Sequence, residues 1–249
     1  MKNHTLNLPL DLTKRHFVVG DIHGRLDMFE RLLESADYDP ATDIIYTVGD
    51  MIDRGSNSYE ILEFFDMKNN FSIRGNHEVM ATDSNWYAVW MGNGGPQTLD
   101  SLRTNACDTN WLEAMIERLP FVIDVGEPGE EHAFRILHAE LPPVWSEDDF
   151  QWILVDADDA DDSTFAHVLW SRSTIEKALR NVKNMKPSHF EIDFHPERSG
   201  RNVFVGHTPI RNPMRVGDMT FLDTWASRTL TMVEAITLQE WSVPFKAPE

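Results

Sequence analysis

The chain has 249 residues, 41% of them hydrophobic, with 8 Trp and 14 Phe, enough apolar material for one substantial core and too much for a disordered chain. Its net charge of −19 repels nucleic acid and anionic membranes, arguing against both as partners, and attracts divalent cations. The lone cysteine, Cys107, excludes an internal disulfide and a zinc–thiolate cluster and is expected to be a passive small hydrophobe.

The first stretch, MKNHTLNLPLDLTKRHF, lacks a long apolar segment and a small-residue cleavage site. No later apolar run approaches the roughly 18 residues of a membrane span, so a soluble, cytoplasmic protein is expected. Residues 17–19 read as a first strand. Leu26, Phe29, Leu33 and Ala36 then recur at helical spacing. Residues 44–48 read as a second strand. Asn57 with Glu60 three residues later resembles a capping box opening a helix through Ile61, Leu62 and Phe65. Residues 71–73 read as a third strand. Strand–helix–strand alternation implies right-handed crossovers and a parallel sheet. The stretch 78–119 reads as largely helical, broken sharply at Asn93-Gly94-Gly95. Beyond Phe121 the chain reads as β-rich, with strands at 134–137, 203–205, 220–222 and 229–237. Residues 146–162 hold eight carboxylates and no base. Counted from Asp156, the sixth and twelfth positions are Asp161 and His167, where a calcium loop needs Gly and Glu, so a solvated acidic loop is expected. No repeat or linker forces a division, and a single domain over 1–249 is expected.

Five of the apolar runs end in chemistry. They lead into Gly20-Asp21-Ile22-His23-Gly24, Gly49-Asp50-Met51-Ile52-Asp53-Arg54-Gly55, Arg74-Gly75-Asn76-His77-Glu78, His138-Ala139-Glu140 and Gly206-His207-Thr208-Pro209. Singly, each polar residue is an ordinary turn former; together they stand where ligands bind in open α/β sheets, at the carboxyl edge of the strands. Two Asp, one Asn and three His without a thiolate suit Mn, Fe or Zn. Asp50, on the middle strand of the first three, is the natural bridge between two ions. Such a pair, roughly 3.5–4 Å apart, suits in-line displacement at phosphorus and lowers the pKa of a bound water. Arg54 can fork onto phosphate oxygens. His77 can give a proton to the leaving oxygen, and Asp53 can fix its tautomer.

In this order, GDIHG, GDMIDRG, GNHE, a strand ending in His138, and GHTP resemble the metal-dependent phosphoprotein phosphatase family, in particular its compact bacterial and phage lambda-phosphatase-like branch. The likeness runs from about residue 17 to residue 223. It implies an α/β calcineurin-like metallophosphoesterase fold. In that fold a central β-sandwich is flanked by helices, with a dinuclear metal site at the carboxyl edge of the strands, which replaces a simpler doubly wound sheet. By the same resemblance, Asp21 and His23 bind one metal and Asn76, His138 and His207 the other, with Asp50 shared. The ions are two divalent metals, Mn(2+) first, with Fe or Zn as alternatives. Arg54 and Asn76 contact the phosphate, and His77 is the general acid paired with Asp53. A second phosphate arginine falls at Arg172, in Leu169-Trp170-Ser171-Arg172.

The implied activity is that of a phosphoric monoester hydrolase, a serine/threonine phosphatase acting on phosphoproteins or phosphopeptides. Its chemistry is attack of a metal-bridging hydroxide on phosphorus. The alternative is symmetrical hydrolysis of dinucleoside polyphosphates such as diadenosine tetraphosphate. Relatives of that kind tend to lack the Asp of DRG and to carry GNHD, whereas Asp53 and Glu78 are both present here. A monomer is the expected state. Two stretches depart from the family pattern. Asp223-Thr224-Trp225 stands where Asp-Thr-Gly is usual, so Trp225 bears on the shape of the cleft. Residues 142–201 are acidic and poorly matched, a candidate cap over the groove.

Overall fold

The structure is a computed structural model that describes residues 5–141, 167–182 and 201–246. The acidic stretch 146–162 lies outside the described residues, as does most of the candidate cap 142–201.

Two sheets pack face to face. In one, β2 (Arg15–Val19), β3 (Asp43–Thr47) and β4 (Asn70–Ser72) run parallel, connected through α1 (Leu26–Ser35) and α2 (Ser58–Phe65). The antiparallel hairpin of β10 (Thr229–Glu234) and β11 (Glu240–Pro244) extends this sheet beside β2. The other sheet contains β1 (Thr5–Leu8), β5 (Val122–Val125), β6 (Phe134–Ile136), β7 (Asn202–Val205), β8 (Met214–Val216) and β9 (Met219–Phe221), in the order β1-β5-β6-β7-β9-β8. α3 (Asn76–Thr82), α4 (Tyr87–Gly92), α5 (Gly95–Thr104) and α6 (Thr109–Glu117) follow β4, and α7 (Ser173–Val182) precedes β7. Among the described residues no helix is long and apolar enough to cross a membrane.

The period of two in a strand explains why the apolar runs are continuous. In β2, Val18 faces the core between the sheets, with Tyr46, Val48, Ile73, Phe134, Ile136 and Phe204. Its neighbours Phe17 and Val19 face the other way, under α1 and α2, with Phe29, Leu32, Ile61 and Phe65. The second sheet is likewise covered on both sides. Phe204 points inward, while Val203 and Val205 pack with Ile175 and Ala178 of α7. The fold is therefore a β-sandwich flanked by helices, as the motif resemblance implies.

Local expectations hold in part. The break at 93–95 separates α4 from α5, with Gly94 at φ +116°. Asn57 does precede α2, but its side chain makes no capping hydrogen bond. Instead Ser56 Oγ donates to Asn57 Oδ1 at 2.9 Å. The amide of Tyr59, in the first turn, is satisfied across the fold by Ser101 Oγ at 3.0 Å. The late strand stops at Glu234, short of 237, because that carboxylate turns the chain: it accepts from Thr237 N at 2.6 Å and Thr237 Oγ1 at 2.7 Å.

Candidate active site

The carboxyl ends of β2, β3, β4, β6 and β7 meet at one edge of the sandwich, and their loops hold one another. His23 N donates to Asp50 O at 2.9 Å, Gly24 N to Met51 O at 2.7 Å, and Gly206 N to His138 O at 2.8 Å. His23, Asp50, Asp53, Arg54 and His207 all have positive φ, between +49° and +74°. Non-glycine residues adopt that region at a cost of order 1–3 kcal/mol each, and only where the surroundings over-determine it. Glu78 supplies much of that determination. Its fully buried carboxylate accepts from the amides of Asp50 (2.9 Å), Met51 (2.8 Å), Ile52 (3.3 Å) and Gly75 (2.8 Å). Gly75 and Gly206 are required by close approach: a Cβ there would strike Asp50 Oδ1 and Asp21 Oδ1 respectively.

The six expected donors converge. Asp50 Oδ2 lies 3.6 Å from His23 Nε2, and Asp50 Oδ1 lies 3.4 Å from His138 Nε2. Asn76 Oδ1 is 2.8 Å from His138 Nε2 and 3.1 Å from His207 Nδ1. Asp21 accepts from His207 N at 3.1 and 3.2 Å. Two donor groups, Asp21–Asp50–His138 and His23–Asp50–His77, each offer ligand atoms within 4.8 Å of one another, and Asp50 is common to both. His77 thus also has an atom near the donor set, although the sequence places it outside.

The donor set fits cations on its own hydrogen bonding. His138 Nδ1 faces Val48 O at 2.8 Å and His23 Nδ1 faces Ile52 O at 2.9 Å. A carbonyl can only accept, so each Nδ1 carries the hydrogen and each Nε2 turns a bare lone pair inward. For His138 that lone pair meets the Asn76 carboxamide oxygen and Asp50, also acceptors; a cation among them satisfies all three. Electrostatics agree. Burial lowers the pKa of His23, His138 and His207, the last to about 3 with help from His138, so the imidazoles stay neutral. Burial, Asp223 and Asp50 raise Asp21 well above the usual carboxylate range. Burial lifts Asp223 to about 6 and, with Asp50, lifts Glu78 to about 7. Burial also acts to raise Asp50, but His77, whose own pKa is raised, and the His77 amide, which donates to Asp50 Oδ1 at 3.0 Å, act to hold it low. So many buried acids are costly without cations.

Beside the donors, His77 Nδ1 lies 2.5 Å from Asp53 Oδ2. Both oxygens of Asp53 are also engaged by Trp90 Nε1 at 2.9 and 3.0 Å, and Thr98 Oγ1 donates to Oδ1 at 2.6 Å. Against burial, Asp50 and Asp53 raise the His77 pKa. The Arg54 fork spans two imidazoles, with Nη1 2.5 Å from His23 Nε2 and Nη2 2.9 Å from His77 Nε2. Arg172, exposed at the rim, places Nε 3.2 Å from His207 Nε2. All ten sequence-assigned residues therefore stand together.

Sequence reasoning left out Glu78, Trp90, Thr98, Asp223 and Arg25. Glu78 and Asp223 lay inside quoted motifs without being given a role; the rest carried no local signal. Trp225 stands in a 3-10 turn, 225–227, with its ring 3.8 Å below the Arg25 guanidinium and edge-on to Phe245.

The sequence pattern of calcineurin-like phosphoesterases matches residues 15–220. The chain is 30% identical over 216 residues to serine/threonine-protein phosphatase 1 of Salmonella typhimurium, covering 85% of this chain and 87% of that protein. Over 133 residues it is 31% identical to the symmetrical bis(5'-nucleosyl)-tetraphosphatase of Erwinia tasmaniensis, covering 52% of this chain and 45% of that one. A solved serine/threonine phosphatase structure from Saccharomyces cerevisiae shares the fold, with a TM-score of 0.64 at 16% identity, over all of this chain and 86% of that one. Sequence match, fold and converging donors agree: the chain belongs to the calcineurin-like phosphoesterases, within the phosphoprotein phosphatase family, and is a phosphoric monoester hydrolase whose family works with divalent metal ions.

Proposed function

We propose that the protein removes phosphate from phosphoserine and phosphothreonine in proteins, with two manganese ions held by Asp21, His23 and Asp50 and by Asp50, Asn76, His138 and His207. The observation that carries this reading is the Asp53–His77 contact of 2.5 Å. A serine or threonine alkoxide is a poor leaving group and needs a proton as it departs. The 87% coverage of a serine/threonine phosphatase relative supports the same choice. Oxygen and imidazole donors without thiolate suit manganese.

Ions held by these residues would supply an activated water and draw charge from the phosphoryl oxygens. Arg54 turns its fork from the imidazoles onto two of those oxygens, and Arg172 approaches from the rim. Asp53 accepts from Nδ1 of protonated His77, which leaves Nε2–H for the substrate. The water oxygen bonds to phosphorus, the phosphorus–oxygen bond to the side chain breaks, and the Nε2 proton passes to the departing oxygen. The products are inorganic phosphate and the free hydroxyl side chain.

Symmetrical hydrolysis of diadenosine tetraphosphate is the second reading, supported by the half-length match to a protein of that name. Side-by-side rates with manganese separate the two. A phosphoserine peptide is expected to be the better substrate; turnover of the dinucleotide with none of the peptide overturns the proposal. His77→Asn is expected to slow the peptide by about 10²–10⁴ and p-nitrophenyl phosphate far less, because nitrophenolate leaves without a proton. An equal loss on both removes His77 from the acid role.

A further inference from the structure

The net charge of −19 works against a site for anions, and the cleft answers it with arginines. Two of them, Arg54 and Arg172, belong to the reading above. A third, Arg25, is unassigned. It occupies the N-cap position of α1, where its side chain makes no capping hydrogen bond. A cation at the positive end of a helix dipole is unfavourable, and Ser, Thr, Asp or Asn would cap the helix better. Its guanidinium lies over Trp225, with Cζ 3.8 Å from the ring centroid, and spends one N–H on His23 O at 3.3 Å. Among the described residues no carboxylate lies within ion-pair distance of it; Asp27 and Asp223 act on it only from further off. Arg54 is near enough to repel it. Arg25 is half-buried, next to a metal-donor histidine, with most of its fork unused.

Two features of the chain meet here. Trp225 stands where the family pattern has glycine, and its ring supports Arg25. The tryptophan thus builds a shelf for a cation at the end of the site formed by the β2 loop and Asp223. A stacked guanidinium keeps its edge free, and that edge matches a carboxylate or phosphate in two parallel hydrogen bonds.

We propose that Arg25, fixed on Trp225, binds a second anionic group of the substrate, adjacent to the phosphoryl group held by Arg54. This rests on the phosphatase reading and narrows it. In a peptide, the second anion is an Asp, Glu or phosphorylated residue beside the phosphoserine. In a dinucleoside polyphosphate it is the next phosphate of the chain.

The test uses the full-length manganese-loaded enzyme and reads ratios of kcat/KM, which do not depend on how much of a variant is folded. The substrates are two phosphoserine peptides differing only in a flanking Asp or Ala, diadenosine tetraphosphate, and p-nitrophenyl phosphate. Wild type is expected to favour the Asp peptide over the Ala peptide by about tenfold, and Arg25→Gln to bring that ratio near one, chiefly through KM. Trp225→Gly keeps the cation and removes its support, so an intermediate ratio is expected. No preference in wild type, or the same preference in Arg25→Gln, overturns the proposal. If the peptides are not hydrolysed but Arg25→Gln lowers the dinucleotide relative to p-nitrophenyl phosphate, the protein-phosphatase reading fails and the role of Arg25 stands. If the peptides are hydrolysed with no effect of Arg25→Gln, the reverse holds.

Discussion

Asp53 has no solvent exposure, and both of its oxygens are engaged, by His77, Trp90 and Thr98. A carboxylate with that many donors is fixed as an acceptor and cannot turn away from the imidazole. Thr98→Val keeps the shape and removes one donor; Trp90→Phe removes a second and leaves His77. Each is expected to lower the rate on phenyl phosphate relative to p-nitrophenyl phosphate by about tenfold, since proton delivery matters only for the poorer leaving group. Thr98→Ser is expected to restore the ratio, and a uniform loss on both esters would leave these residues a purely structural part. At this scale the motif residues were legible because their chemistry is written in consecutive letters. Trp90 and Thr98 were not, being 37 and 45 positions away from Asp53. The break at Asn93-Gly94-Gly95 was visible, but not its purpose. A Cβ on Gly95 would press into the Trp90 ring at 2.8 Å, and one on Gly94 would meet Arg54 N at 2.5 Å.

Strands were found where both faces are buried and apolar, and at β6 in spite of Arg135, whereas β5 was missed. β5 reads Val-Ile-Asp-Val, and Asp124 in its middle hides the pattern. The structure resolves this by register: Asp124 stands opposite Arg135 on β6. The guanidinium holds it bidentately at 2.7 and 2.8 Å, with Arg201 Nη1 at 3.3 Å. All three side chains are almost fully buried. Removing one member of a buried ion pair leaves the other uncompensated, so Asp124→Ala is expected to cost about 3–5 kcal/mol, measured by urea unfolding. A cost below about 1 kcal/mol would show that water reaches the arginines freely. β1, β8 and β11 went unread for a plainer reason. Each lies at the edge of its sheet and is only partly buried, so one-sided contact leaves only a weak alternation. The carboxyl ends that matter belong to β2, β3, β4, β6 and β7; β2, β3 and β7 have an apolar run behind them, while β4 carries Ser72 after Phe71 and β6 carries Arg135 within Phe134–Ile136.

Across the whole molecule, the acids at the site link stability to pH once cations are stripped. Asp21, Glu78 and Asp223 have raised folded-state pKa values, to about 7 for Glu78 and about 6 for Asp223. Such groups favour the folded state while protonated and lose that contribution as pH rises through the folded value. His23, His138 and His207 are lowered and act in the opposite sense as pH falls through the ordinary imidazole value of about 6.5. A paired comparison isolates the acid: relative to stripped Glu78→Gln, EDTA-stripped wild type is expected to lose melting temperature as pH rises from about 4.5 to about 7. A flat difference between the two would mean that the acid is compensated in some other way.

The edge where the strands end has one more property. Asp21, His23, Asp50 and Asn76 hang from one sheet, whereas His138 and His207 hang from the other. The span between these two sets is fixed by the thickness of apolar filling at Val48, Ile73, Phe204 and Leu222. That filling acts as the spacer of a calliper whose jaws are the candidate ligands. A methyl group added or removed there would retune affinity for the ions from deep inside the sandwich, with every coordinating atom left as it was.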